Sequence, residues 1–282
     1  LGWVCRLVLR HWRLLVKSSN VLMAHIKILI SFIIVIVSVD VQFGVAWPQA
    51  FAQALDVLSM FTFDIGVMGG ILCLVDYNFF DLLVSSTLFL AAVVLAVWVG
   101  WHCLNSRQDA WQASQYGEQA RFIAVYICLF AYPVISVRVI DTFGCHEVEG
   151  VFYLRADYSV ECYDSRWYSN AVYAGFWLVF FVILFPIFIA FKLWRYHAAP
   201  EQVARGIDLE FLRDDYKPTA PAVLWESVET LRKLLLCVVG AFWSTKSIMC
   251  IATALLIAVS FMWLHQTYLP YKSAACNRLQ SA

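Results

Sequence analysis

Asp40 is the residue with the clearest potential for chemistry: a carboxylate inside an apolar run at 28–47. An ionisable group at such a depth is costly and marks an ion pathway, a proton relay or a buried pair. Arg138 lies in the outer part of a second apolar run at about the same depth. An Asp40–Arg138 ion pair is the structural expectation, and a cation site at Asp40 the functional one. Asp56, Asp64, Asp76 and Asp81 follow in an interrupted apolar stretch that holds no basic residue. Clustered carboxylates concentrate cations at pore mouths, which makes a cation vestibule one reading of these acids and a solvated loop the plainer one.

The other reactive types are spread more thinly. Of the nine cysteines, Cys73, Cys103, Cys128, Cys237 and Cys250 fall in or beside apolar runs, where the thiol is a small hydrophobe. Cys145 and Cys162 lie in the polar loop 141–170 and are expected to form a disulfide. It would close a hairpin with Val151-Phe152-Tyr153-Leu154 and Tyr158-Ser159-Val160 as strands. His146 beside Cys145 lacks the spacing of a metal site. His25, His102, His197 and His265 sit near the ends of apolar runs and read as interfacial polar residues rather than haem ligands. No phosphate-binding Gly loop, His-Glu-x-x-His or hydrolase triad is visible. The sequence therefore gives an enzyme no support and implies no cofactor beyond surrounding lipid.

The elements that must position these residues are set by composition. The 282 residues are 62% hydrophobic and only 14% charged, against about 25% charged in ordinary soluble domains. A water-soluble fold is excluded, and a balance of 20 basic against 20 acidic residues disfavours a nucleic-acid partner. Apolar runs of bilayer-crossing length occur at 28–47, 82–104, 122–140, 171–191 and 247–264. A fifth in chain order, 234–243, is too short unless it borrows 227–233. The expected fold is an all-α polytopic bundle of six spans. Between the first two, 48–81 reads as an interrupted or re-entrant segment, and loop 141–170 as a small disulfide-closed outer domain. Trp225, Glu226, Glu229, Arg232 and Lys233 open the fifth span at helical spacing, with Glu229 and Lys233 as an i,i+4 pair and Trp225 as an interfacial anchor. Such a stretch is expected to run along the inner membrane face before entering the bilayer.

Lys and Arg accumulate in cytoplasmic segments. Residues 1–27 hold Arg6, Arg10, Arg13, Lys17 and Lys27 without an acid, and this basic amphipathic segment is placed inside. Alternation through six spans then puts loop 105–121, linker 192–224 and tail 265–282 inside as well. Outside are left only Arg138, Arg155, Arg166 and Lys246 among the 20 basic residues. The neutral total is thus a cancellation between a basic inner and an acidic outer face. No signal peptide is visible, and the chain is expected to be part of a longer protein.

Several stretches carry a resemblance. His25-Ile26-Lys27-Ile28-Leu29-Ile30-Ser31-Phe32 and Val45-Ala46-Trp47-Pro48-Gln49-Ala50-Phe51 come first. Asp141-Thr142-Phe143-Gly144-Cys145 with Gly150, Tyr153-Leu154, Asp157 and Cys162 comes next. Phe211-Leu212-Arg213-Asp214-Asp215-Tyr216-Lys217-Pro218, the run from Trp225 to Leu236, Leu269-Pro270-Tyr271-Lys272 and Asn277-Arg278-Leu279-Gln280 complete the order. In this order they resemble the membrane region of polycystin-like or transient-receptor-potential-like proteins of protists and algae. The resemblance implies a channel-like, mechanosensory cell-surface protein of the plasma or ciliary membrane, with cation transport as its activity. It also implies a cysteine-rich ectodomain before this region and a further span after it. The alternative is a non-conducting anchor for an extracellular assembly such as a filament, with other membrane subunits as partners. One departure follows from residues 244–246: this connection is too short for the pore helix and filter that tetrameric channels of those types place between their last two spans. A conduction path is therefore expected near 48–81 or in a groove between helices.

Overall fold

A computed structural model describes residues 78–105, 110–198, 215–242 and 248–281, with positions 29, 33, 48, 49, 51, 53 and 212. The first expected span, 28–47, and the interrupted segment up to residue 77 lie otherwise outside the described residues. Helix α1 is Phe79–Asn105, and helix α2, Ala110–Asp141, returns beside it. A three-stranded antiparallel sheet follows: β1 Cys145–Val148, β2 Val151–Leu154 and β3 Asp157–Glu161, in the order β1-β2-β3. The third long helix is α3, Ser165–Trp177, continued by a π-helical stretch at Leu178–Leu184 and by α4, Phe185–Ala198. After a short α5, Ala220–Val223, come α6 Trp225–Phe242, α7 Ile248–Tyr268 and α8 Ala274–Ser281.

Among the described residues, four helices are long and apolar enough to cross a membrane: Phe79–Cys103, Ile123–Asp141, Ser165–Arg195 and Ile248–Tyr268. They correspond to the second, third, fourth and sixth expected spans. The fifth, α6, is an 18-residue helix whose first half carries Glu226, Glu229, Arg232 and Lys233. These charges keep it out of the apolar set, although its length of about 27 Å approaches a bilayer core. Its far end meets α2, with Cys237 and Ala241 packed on Ile140.

Helix α2 is central. Half of its apolar window is buried in the protein, against 22% for α1 and 11% for α7. Leu83 and Leu90 of α1, Ala131, Tyr132, Ile135 and Val139 of α2, and Ala174, Phe181 and Val182 of the third helix form one apolar core. The outer faces are apolar too. Leu88, Leu95 and Trp98 on α1, Phe180, Ile187 and Phe191 on the third helix, and Leu255, Leu256 and Trp263 on α7 are all exposed. Such a belt far exceeds the apolar patches of water-soluble monomers, and helices that satisfy their own backbone are the form lipid permits.

The sheet caps one end of this bundle. Cys145 and Cys162 form a disulfide, with Cα atoms 6.4 Å apart. Val148 pairs with Val151 across Glu149-Gly150, whose φ values of 52° and 84° supply the left-handed pair that a two-residue hairpin requires. The strand at 151–154 matches expectation. Strand β1 is a further strand, made from the loop's first cysteine and the three residues after it. Leu154, Val160, Cys162 and Trp167 pack on Phe80 at the start of α1. Polar bonds fix the joint: Trp167 Nε1 donates to the Thr142 carbonyl at 3.1 Å, and Asp164 caps α3 by accepting from Trp167 N. Asn78 and Asp81 form a reciprocal cap on α1, each side chain accepting the other's N–H at 3.2 Å.

Asp157 ties sheet to helix. Its carboxylate accepts from Phe79 N at 3.1 Å, Ser159 N at 3.0 Å and Ser159 Oγ at 2.7 Å. Partial burial pushes this carboxyl up, and the bonds from Ser159 and Phe79 outweigh it, holding it below the ordinary carboxylate range.

Replacing Cys145 and Cys162 together by Ser should cost about 3 kcal/mol, the scale for closing a loop of this size. Amide exchange should then quicken across 145–161 while that of 123–140 stays unchanged. Asp157→Asn should cost about 1 kcal/mol, as loss of a helix cap does. Because the folded-state pKa is depressed, the Asp157 contribution is present above the unfolded pKa and lost as pH falls through the folded one. A thermal-melt series from pH 7 to pH 2 should show wild type converging on the variant only at the acid end.

Candidate functional site

The sequence candidates divide into those the structure places and those outside the described residues. Asp40, Asp56, Asp64 and Asp76 are in the second group. Asp81 is described, and it serves as half of the α1 cap. Arg138 is 7% exposed, and its carbonyl accepts from both N and Oγ1 of Thr142, at 3.2 and 3.0 Å. Its expected partner Asp40 lies outside the described residues. No group of three or more His, Cys, Asp or Glu able to hold a metal occurs among the described residues.

Two features that sequence reasoning missed lie at the centre and at one end of the bundle. The central one begins with proline. Pro186 has no N–H, so the Val182 carbonyl four residues earlier loses its α-helical donor. The hydroxyl of Tyr132 on α2 supplies one, donating to Val182 O at 2.8 Å. The helix winds as a π-helix over Leu178–Leu184, just before the proline. Tyr132 is 1% exposed and packs its ring on Phe181 and Phe185, with centroids 5.8 and 6.3 Å away. Its neighbour Pro133 lies inside α2, which stays helical through it, and Cys237 Sγ on α6 lies 3.8 Å from the Pro133 carbonyl. Two prolines thus each remove a backbone donor from two packed helices. Both are visible in sequence; the tyrosine that answers one of them is far away along the chain, beyond the reach of any local pattern.

The second feature is a polar clasp at the end opposite the sheet. Tyr216 pairs with Tyr271 as an isolated β-bridge, with Lys217 N on Pro270 O at 2.8 Å and Lys272 N on Asp215 O at 3.0 Å. The Tyr216 hydroxyl donates to Glu226 Oε2 at 3.0 Å. Burial first, and Glu226 second, pushes that hydroxyl well above its ordinary range, so it stays a donor. Gln280 Nε2 donates to Glu229 Oε1 at 2.7 Å, and Arg232 gives Glu229 Oε2 two bonds, at 3.0 and 2.8 Å. Glu229, expected to pair with Lys233, is bonded by Arg232. His265 Nε2 lies 3.2 Å from the Asn277 carbonyl, an acceptor only, which places the proton on Nε2.

This clasp shows what Trp225, expected as an interfacial anchor, packs against. The ring is 1% exposed and packs with Tyr216, Ala222, Tyr271 and Cys276, and edge-on against His265 at 5.5 Å. Trp225 anchors the helix to the chain's own tail. An amphipathic apolar–polar pattern reads the same in both cases, because a tail with tyrosines offers the indole much the same surroundings as a headgroup layer.

Tyr132→Phe should cost about 1 kcal/mol or somewhat more, as for a buried carbonyl left without its donor. In a Pro186→Ala background it should cost almost nothing, since an alanine at that position supplies the N–H that the Val182 carbonyl lacks. A double-mutant cycle on thermal stability in detergent measures the difference, and equal costs in both backgrounds would reject the proline–tyrosine link.

No protein-family model matches the chain, and no curated protein or solved structure matches it either.

Proposed function

We propose that the chain is the membrane domain of a channel-like cell-surface protein that gates cations, and that the joint at Tyr132, Val182 and Pro186 is its moving part. The carrying observation is the π-helical stretch Leu178–Leu184, held by a hydroxyl from a neighbouring helix. Such stretches recur at functional sites in helices, and one residue of slippage turns everything beyond it by about 100°. Ile189 and Leu193, buried against Leu129 and Leu212, would turn with it. A static anchor has no use for such a joint.

The described core is apolar. A cavity of about 10 Å³ between α1 and α2, lined by residues including Ser86, Leu90, Ile127 and Ile135, has room for about one water. The cation path of this proposal therefore runs beside residues 28–77, with Asp40, Asp56, Asp64 and Asp76 as its carboxylates and Arg138 as the counter-charge of Asp40. Six spans, an inner N-terminus, a plasma or ciliary membrane location and a cysteine-rich extracellular partner complete the reading, supported by the resemblance and by the charge asymmetry. In it α6 crosses fully.

The apolar core among the described residues favours one competing reading, a non-conducting anchor whose outer sheet docks an extracellular assembly. Flux of a cation-sensitive dye in liposomes holding the purified protein separates the two. Gated flux under tension, voltage or calcium is expected, reduced several-fold by Asp40→Asn without loss of folded yield. Absence of flux under all three stimuli, together with co-purification of a stoichiometric extracellular filament, would establish the anchor.

A further inference from the structure

His265 stands where three segments meet: the last turn of α7, the start of α6 and the tail that ends in α8. Its ring is 3% exposed, edge-on to Trp225 at 5.5 Å and tilted against Tyr271 at 6.1 Å. Its Nε2 proton goes to the Asn277 carbonyl. Asn277 in turn organises the tail. Its side chain accepts from Tyr271 N at 3.1 Å and donates to Tyr271 O at 3.0 Å, and its N–H donates to Ser273 O at 3.2 Å. The chain turns back from α7 at Leu269, whose φ is 42°. The imidazole thus joins the end of α7 to the residue around which the tail is folded.

Imidazole is the side chain whose ordinary titration falls between about pH 5 and 8. A second proton on this ring would bring a full charge into a site walled by aromatic rings, and a buried charge is costly without a counter-charge to meet it. The charged groups around His265 are already engaged. On α6, Glu229 is bonded by Gln280 and Arg232, and Glu226 accepts from the Tyr216 hydroxyl. Glu229 favours a proton on the ring and Arg232 opposes it. These two stand 2.8 Å apart as an ion pair, so their effects on the ring largely offset. The linker contributes Tyr216 and the tail Tyr271 and Cys276, side-chain types that are neutral near pH 7. Lys272 and Arg278 of the tail are exposed. We propose that His265 makes the clasp a pH-operated latch, closed around the neutral ring and opened by acidification, when the imidazolium leaves its aromatic enclosure and α8 detaches from the start of α6. This inference is independent of whether the protein conducts.

Amide hydrogen exchange of the whole chain in a maltoside detergent, corrected for the intrinsic pH dependence of exchange, tests it. An opening that frees an imidazole of ordinary pKa becomes about tenfold more populated between about pH 7.5 and about pH 5.5. Exchange should quicken by that factor over 269–281 and 225–232, and hold constant over 145–161. His265→Gln, which keeps an amide donor and does not titrate, should exchange alike at both pH values. Should that variant fail to fold, the wild-type profile gives the reading: it should be flat in neutral solution and bend upward at about pH 6.5, the imidazole value, whereas protonation of Glu226 or Glu229 would bend it at about 4.3. Acid opening retained by His265→Gln, or a bend at the carboxylate value, would overturn the proposal. So would a tail whose exchange is unchanged in acid, or slowed there by an imidazolium held on the Trp225 ring.

Discussion

In hydrocarbon no water completes a broken backbone ladder, so each carbonyl that a proline frees must find a donor within the protein. Pro186 frees Val182, and Tyr132 answers it from the next helix. That bond depends on α2 standing where it does, and α2 stands there because its two faces are covered at once: by α1 and the third helix around Leu83, Ala174 and Val182, and by α6 around Ile140 and Cys237. The polar requirement and the apolar core specify the same arrangement. The core alone would tolerate some rotation of α2, since Leu, Ile and Val fill space without direction. The tyrosine hydroxyl does not, because its bond is sharply angular.

The ends of the bundle are built on opposite principles. At the sheet end a disulfide closes the loop, and besides helix caps two long-range bonds, Phe79 N to Asp157 and Trp167 Nε1 to the Thr142 carbonyl, tie it to the helices. At the other end no covalent link exists among the described residues, and two buried carboxylates are accommodated by tyrosine, glutamine and arginine drawn from three separate segments. Buried carboxylates are destabilising unless such partners are all in place. The clasp is therefore a cooperative unit: remove its tail and the charges at the start of α6 lose part of what makes their burial tolerable.

How much of this is legible in the sequence depends on the range of the signal. Four apolar runs can be read nearly to their ends, because a stretch of some twenty apolar residues has few other uses. The Cys145–Cys162 pairing follows from compartment and position in one loop, and β2 from its aromatic and branched residues. Strand β1 is hidden, since Cys-His-Glu-Val carries no strand pattern and pairs only because the Glu149-Gly150 turn folds it onto β2. The π-helical stretch has no local signature, being Leu-Val-Phe-Phe-Val-Ile-Leu. Trp225 reads as interfacial because pattern alone cannot distinguish an indole buried by lipid headgroups from one buried by Tyr216 and Tyr271. The acids of 28–77, which carry the cation reading, lie outside the described residues.

Helix α6 shows why the clasp and the bundle cannot be considered separately. With Glu226, Glu229, Arg232 and Lys233 in its first half, it is the one long helix among the described residues that cannot enter an apolar phase on its own hydropathy. It nonetheless runs along α2 as far as Ile140. The partners of its carboxylates, Tyr216 on one side and Gln280 on the other, come from the linker before it and from α8 after α7. The charges that make this helix look interfacial in sequence act as a register lock in the folded chain: only the position in which Glu226 meets Tyr216 and Glu229 meets Gln280 satisfies both carboxylates.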